Sequence, residues 1–415
     1  MAQNAPKTRD DLLPVVLGGD IGAYALGREF HEAYGVRSVY INTGYIGAIT
    51  HSAIIDTHPV EAMHAGPVLE AIGEVASANA DKTIALIANT DPLIELLEEV
   101  AGELPANVSV TIPPKDAFDA VCDKATFSRL CQDHGLDVPA MERVSLAGTS
   151  PIAPCQIPFP VVAKPAVSAG WYDMLLKGFK KVYYVTEQSQ LDELWAGLRA
   201  AGFDGEILVQ ELIGGDDTYM DSLTIYIGQD GEARLLGAAQ VLLEDHAPTM
   251  LGNPVAMVIR KKDELWEKAG RMLSDVGYRG FANFDVKRDP KDGRELFLDC
   301  NPRIGRNSFY NVAGGVNPMR VQVEDSIDHV ASTQPLRAVE PALYTLVPVP
   351  LLRRYVRDPE LLAEVDGLVR SGRVFDPQRY RADWGLRRRL DVELTELNQY
   401  RKFGKFYPRP TDTSF

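Results

Sequence analysis

Apolar and polar positions in the first hundred residues switch between two periods. "LPVVLGG" (13–19) is a short β-branched run ending in glycines, and "VRSVYIN" (36–42) and "KTIALIANT" (82–90) are similar runs. Between the first two, "IGAYALGREFHEAYG" (21–35) repeats its apolar residues at helical spacing and stops at Gly35, which predicts an amphipathic helix. "DPLIELLEEVAG" (91–102) predicts a second helix, with Asp91 as its cap and Pro92 in its first turn. "NVSVTIPP" (107–114) closes the unit. Strands and helices alternating in this way imply a parallel sheet.

Past residue 115 the pattern changes. A helix pair occupies about 115–135, and the Pro-rich "SLAGTSPIAPCQIPFP" (145–160) reads as a connector. Strands are expected at 161–167, 180–186 and 206–213, with an amphipathic helix over 187–202. A hairpin with a Gln-Asp-Gly turn spans 221–243, and a helix spans 262–277. "GFANFDVKRD" and "RELFLDCNPR" flank "DPKDG" and form a second hairpin. Beyond residue 330 Pro, Arg and aromatic residues become more frequent, and 384–410 is basic.

At 415 residues the chain exceeds one ordinary core, so two to four domains are expected. A net charge of −15 argues against a general nucleic-acid binder, which needs clustered Lys and Arg. The four cysteines form no CxxC pair and match no zinc spacing, so reduced, mostly buried thiols are expected. The N-terminus has no apolar signal-peptide core, and no apolar run approaches the roughly 20 residues that span a bilayer. A cytoplasmic protein without a transmembrane segment is the expectation.

The densest chemistry lies at 281–306. Alternate residues of a strand share a face, so Asn283, Asp285 and Lys287 line one face, as do Phe297, Asp299 and Asn301 on the partner strand. If the hairpin pairs as its turn suggests, Asp285, Asp299 and Asn301 converge. Two carboxylates and a carboxamide form an all-oxygen set suited to Mg²⁺, which commonly takes one or two carboxylates together with phosphate oxygens and water. The alternative is a solvent-facing polar sheet surface. Arg303 and Arg306 follow at once, and an Arg fork suits phosphate or carboxylate. Lys164 sits among β-branched residues in "VVAKPAV", where an ammonium needs a partner. Lys124 opens a helix, and Lys177, Lys180 and Lys181 form a basic run. In "LVQELIGGDD", Gln210, Glu211, Leu212 and Ile213 end a strand before two glycines. Asp216 and Asp217 follow, as ribose candidates or simply loop residues.

Taken in order, Lys124, Lys164-Pro165, Gln210-Glu211-Leu212-Ile213, Asp285 and Asp299-x-Asn301-Pro302-Arg303 resemble the ATP-grasp superfamily over roughly residues 115–320. Within it, "VVLGGDIGAYALGREFHEAYG", "GYRGFANFDVKRDPKDG" and "RKFGKFYP" resemble the D-aspartate ligase-like carboxylate–amine ligases. The fold class implied is α/β and α+β: a Rossmann-like pre-ATP-grasp domain (1–115), ATP-grasp subdomains A (116–208) and B (209–330, with the metal site), and a C-terminal extension (331–415). The resemblance implies an acyl-phosphate intermediate and attack on it by an amine, which in D-aspartate ligases is a lysine side chain of a peptidoglycan precursor. The cofactors implied are ATP and Mg²⁺, with Mn²⁺ as an alternative.

Carried over by residue, Lys124 and Lys164 contact ATP phosphates, with Lys164 also near the adenine and Lys181 a further ATP-binding candidate; Gln210 to Ile213 hold the adenine, and Asp216 or Asp217 takes the ribose. Asp285, Asp299 and Asn301 hold the metal, and Arg303 with Lys164 serves the reacting phosphoryl group. The family usually has Glu where Asp285 and Asp299 stand, and its small Gly-rich loop is here "AVSAGWYDMLLKG". "GGDIGAY" after the first strand offers backbone N–H groups at a helix start. Gly19, Asp20 and Arg306 are therefore the candidates for binding the amino-acid or small carboxylate substrate. A dimer is compatible with the sequence. Two rivals are a nicotinamide-dependent oxidoreductase, against which the incomplete glycine motif counts, and a non-catalytic ATP-binding regulatory protein.

Overall fold

The computed structural model describes residues 8–166, 171–180, 182–248 and 250–412. It opens with β1 (Leu12–Leu17), buried at every position. Asp20 then caps α1 (Ile21–Tyr34) by accepting from the Ala23 amide at 2.9 Å. Gly35 ends the helix at φ 68°, a left-handed geometry that disfavours a side chain. There follow β2 (Ser38–Asn42), the single turn α2 (Gly47–Thr50), β3 (Ile55–Pro59), α3 (Ala65–Ala78), β4 (Thr83–Ala88), α4 (Asp91–Val100) and β5 (Val108–Val110). The five strands form a parallel sheet of order β3-β2-β1-β4-β5. The sequence pattern passes over β3 because "IDTHP" is an edge strand with mostly exposed side chains and no apolar run. One cap differs from expectation. Thr90 precedes α4 and Asp91 is its first residue, whose carboxylate turns to Arg303 rather than to the helix amides.

The helix pair is α5 (Lys115–Cys122) and α6 (Lys124–Asp133). Next come β6 (Met141–Ser145), β7 (Val161–Pro165), α7 (Tyr172–Leu176), β8 (Tyr183–Val185), α8 (Gln188–Ala200) and β9 (Glu206–Glu211), whose strands form an antiparallel sheet of order β6-β9-β7-β8. A third sheet begins with β10 (Met220–Ile227), β11 (Ala233–Asp245) and β12 (Asn253–Ile259), passes through α9 (Asp263–Asp275), and continues with β13 (Gly280–Arg288) and β14 (Glu295–Asn301). The chain ends through α10 (Tyr310–Ala313), α11 (Pro318–Ser326), β15 (Leu336–Ala338), β16 (Leu343–Thr345), α12 (Val349–Leu352), α13 (Pro359–Arg370), β17 (Val374–Phe375) and α14 (Leu386–Phe406).

Two compact bodies result. The larger comprises Met1–Leu136, Gly215–Val286 and Asp299–Phe415, and the smaller Asp137–Gly214 and Lys287–Leu298. In the smaller body Val161, Ala163, Trp171, Trp195 and Val209 share one core. In the larger, residues of β11 and β12 pack with α10, β16, α13 and Phe403 of α14. The basic C-terminal stretch is partly explained by internal ion pairs. Arg388 is fully buried against Asp383 at 3.0 Å, and Lys402 meets Asp245 at 2.5 Å. The four cysteines are free, with Cys131 and Cys300 buried. Among the described residues no helix is long and apolar enough to cross a membrane.

Candidate functional site

The β13–β14 ribbon carries the first group of sequence-marked residues. Asn301 Nδ2 donates to Asp285 Oδ2 at 3.3 Å and to the Asn283 carbonyl at 3.2 Å. The bond to Asp285 commits the amide nitrogen and leaves the amide oxygen as the group's acceptor. Asp299 forms an ion pair with Lys124, the first residue of α6. α6 is anchored on the ribbon one turn later, where Phe127 stacks on Phe284 with ring centroids 6.3 Å apart. Arg303 Nε meets Asp91 Oδ1 at 2.9 Å. The nearby charges are thus three carboxylates (Asp285, Asp299 and Asp91) against two cations (Lys124 and Arg303).

Burial raises the Asp285 carboxyl above its ordinary range, while Arg303, the Asn301 amide and Lys124 pull the other way. A partly desolvated acid with that imbalance favours either a proton or a further cation. Among the described residues no three His, Cys, Asp or Glu side chains are grouped to hold a metal ion. The set here is two carboxylates and a carboxamide, whose all-oxygen chemistry fits a hard cation that completes its shell with phosphate and water.

A second group lies at the ends of β1 and β4. These neighbours in the sheet are where the strand order reverses, the usual place for a ligand crevice. Gly18, Gly19, Asp20, Asn42, Tyr45 and Asn89 line an open pocket of about 560 Å³. Arg306 Nε meets Asp20 Oδ2 at 2.6 Å, while Asp20 Oδ1 caps α1. Gly19, Asp20 and Arg306 are therefore brought together. A Cβ on Gly22 would lie 2.5 Å from Asn89 Nδ2 and 2.8 Å from Arg306 Cγ, so a glycine there permits the approach.

Asn89 is a pocket residue that the sequence pattern passes over. It is 2 % exposed, its Nδ2 points to Asp20 Oδ1 at 3.4 Å, and its Oδ1 has no hydrogen-bond partner. Its one signal in the sequence is a carboxamide closing the apolar strand "IALIAN".

The third group lies in the smaller body. Lys164 on β7 is half-buried and pairs in register with Leu208, and Val162 pairs with Gln210. Val161 and Ala163 belong to the body's core, so alternation puts Lys164 on the opposite face with Val162, Leu208 and Gln210. Glu211 Oε2 accepts from the Ala140 amide at 3.2 Å, and its Oε1 lies 3.5 Å from Arg294. Leu212 is half-buried and Ile213 buried. Lys181 and residues 167–170 of the expected phosphate loop lie outside the described residues. Asp217 belongs to the larger body; it is 4 % exposed, and its Oδ2 accepts from the Glu244 amide at 2.8 Å and lies 3.0 Å from His246 Nε2. A ribose contact at Asp217 requires that pairing to open. Asp216 meets Arg357 at 2.9 Å.

No protein-family profile matches the chain. A D-aspartate ligase of Enterococcus faecium (strain Aus0004) is 26 % identical over 409 residues, covering 96 % of this chain and 97 % of the relative. Among solved structures, the N5-carboxyaminoimidazole synthetase of Staphylococcus aureus complexed with ADP superimposes with a TM-score of 0.56 at 12 % identity, over 83 % of this chain and 84 % of its own. The L-amino acid ligase of Bacillus licheniformis gives 0.52 at 15 % identity, over 81 % and 79 %. The biotin carboxylase domain of the Hydrogenobacter thermophilus 2-oxoglutarate carboxylase, solved with MgADP and bicarbonate, gives 0.55 at 13 % identity, over 79 % and 72 %. At these identities the structures establish the fold.

Proposed function

We propose that this chain, built on the fold of the ATP-grasp ligases and similar along nearly its whole length to a D-aspartate ligase, is an ATP-dependent carboxylate–amine ligase. The observation that carries the reading is the ribbon, where the Asn301 amide bonds Asp285 while Lys124 pairs with Asp299. That arrangement gathers oxygen ligands and a phosphate-seeking ammonium without any nucleophile. Phosphoryl transfer needs no protein nucleophile, only positioning and neutralisation of charge.

In this reading Asp285, Asp299 and the Asn301 oxygen would hold Mg²⁺, which would supply positive charge beside the phosphate oxygens. Lys124 and Lys164 bind phosphate oxygens, with Lys181 as a further candidate. Gln210, Glu211 and the backbone at Leu212 and Ile213 hold the adenine, and Asp217 is the ribose candidate. A substrate carboxylate oxygen attacks the γ-phosphorus and ADP leaves, giving an acyl phosphate. An amine nitrogen then attacks the acyl carbon, inorganic phosphate leaves, and the nitrogen loses a proton. Arg303 steadies the reacting phosphoryl group, exchanging its bond to Asp91 for one to phosphate oxygen.

The pocket at the start of α1 takes the amino acid. Its ammonium meets Asp20 and the unpartnered Asn89 Oδ1, and a carboxylate not being activated meets Arg306. Gly19 supplies backbone to the same loop. A zwitterion replaces the Asp20–Arg306 pair with charge conserved on both sides. The narrower reading is D-aspartate as substrate and a peptidoglycan-precursor amine as acceptor, supported by the relative's name and by length-wide similarity.

Phosphate release from ATP and Mg²⁺, measured across D- and L-amino acids with and without amines, tests both levels. Stimulation by D-aspartate alone supports the narrow reading. Stimulation by a different amino acid keeps the ligase and discards D-aspartate. Release that no carboxylate or amine alters contradicts the ligase.

A further inference from the structure

We propose that the outward face of α14 pairs with the same face of a second copy of this chain, the two helices antiparallel about a two-fold axis near residue 392. Leu386, Leu390, Leu394 and Leu397 are 83, 63, 62 and 65 % exposed. Their spacing of four, four and three places them on one side of a single 21-residue helix. The other side is fixed to its own body: Arg388, Val392 and Phe403 are each at most 1 % exposed. The leucines therefore stand on a well-anchored helix rather than on a loose end. A contiguous apolar stripe of this kind marks an interaction surface.

Charge selects the occupant. Arg389 is exposed on one flank of the stripe, and the Glu393 side chain, 42 % exposed and 3.2 Å from Arg379 of its own copy, lies on the same flank one turn later. An antiparallel pairing about residue 392 sets Leu390 against Leu394 and Leu386 against Leu397, each contact occurring twice. The same operation brings Arg389 of each copy beside Glu393 of the other. Such a self-complementary patch is the requirement of a two-fold interface. An anionic lipid surface is the poorer match, because the chain carries −15 overall and presents Glu393 beside the leucines.

The test uses the full chain. Sedimentation equilibrium at micromolar concentration is expected to return twice the 45.7 kDa chain mass. The double variant Leu390→Glu, Leu394→Glu is expected to return a single chain mass, with its far-UV circular dichroism unchanged as proof of folding. Register is tested by charge exchange. Arg389→Glu alone and Glu393→Arg alone each place like charges together twice and weaken the dimer, on the order of tenfold. Mixed one to one, the two variants form a heterodimer in which both contacts are opposite in sign, and wild-type affinity returns. A wild-type monomer, a dimer that survives the double leucine variant, or a mixture no tighter than either charge variant alone overturns the proposal. A monomer that binds phosphatidylglycerol vesicles through the leucines overturns it in favour of a lipid surface.

Discussion

The ribbon and the α1 pocket balance charge in opposite ways. Around the ribbon three carboxylates meet two cations, and burial keeps Asp285 above its ordinary range. Around the pocket one carboxylate meets one guanidinium, and both Asp20 oxygens are engaged, by the Ala23 amide and by Arg306. The first arrangement leaves one carboxylate in excess. The second balances charge for charge. A carboxylate in excess favours a proton or a further cation, whereas a balanced ion pair opens only to a ligand that supplies both charges.

The largest effect should follow from Asp299→Ala. If the ribbon's acids serve a metal, ligase turnover falls by on the order of 10³-fold, while the melting temperature barely moves because an acid in deficit has been removed. A fully active Asp299→Ala enzyme would falsify the metal assignment. Next comes Asp285→Asn, read without turnover. Wild type should gain about 2.7 kcal/mol when free Mg²⁺ with nucleotide reaches a hundredfold over its dissociation constant. The variant should lose most of that gain in a calorimetric scan. Equal ligand-induced stabilisation in both proteins breaks the contrast between a ribbon with a carboxylate in excess and a balanced pocket.

The ribbon was legible in sequence because its chemistry is local. Asp285, Asp299 and Asn301 lie on two strands joined by six residues, and the two-residue period of a strand sorts their faces. The first sheet was legible in outline for the same reason: β1, β2 and β4 are apolar runs. The pocket was legible only as candidates. Asp20 and Arg306 are 286 residues apart, and no periodicity links them; neither does any link Asp91 to Arg303, 212 residues apart. A local rule made Asp91 a helix cap, and a distant guanidinium took it instead. Asn89 carried almost no signal, since its importance comes from an unpaired oxygen that only the folded chain displays.

Arg306→Lys addresses the pocket. A lysine keeps the charge and loses the planar fork, so the KM for the amino acid should rise by roughly 10- to 100-fold, with the KM for ATP unchanged. Equal rises for both substrates would move Arg306 from the amino acid to the nucleotide, and the two regions would no longer divide the labour as argued.

The smallest effect is the most discriminating for the pocket's second role. Asp20 both caps α1 and pairs with Arg306, so Asp20→Asn and Asp20→Ala separate the two. Asn keeps the cap, since its side-chain oxygen can still accept from the Ala23 amide, and should cost little stability while weakening amino-acid binding. Ala removes the cap as well and should cost a further ~1 kcal/mol in urea unfolding. Because the wild-type pair is internally satisfied, saturating amino acid should stabilise wild type against urea but neither variant. If the alanine and asparagine proteins unfold at the same urea concentration, Asp20 is not acting as a cap. If amino acid stabilises all three alike, the exchange of a zwitterion for the ion pair is wrong, even though the ribbon's need for a cation would stand.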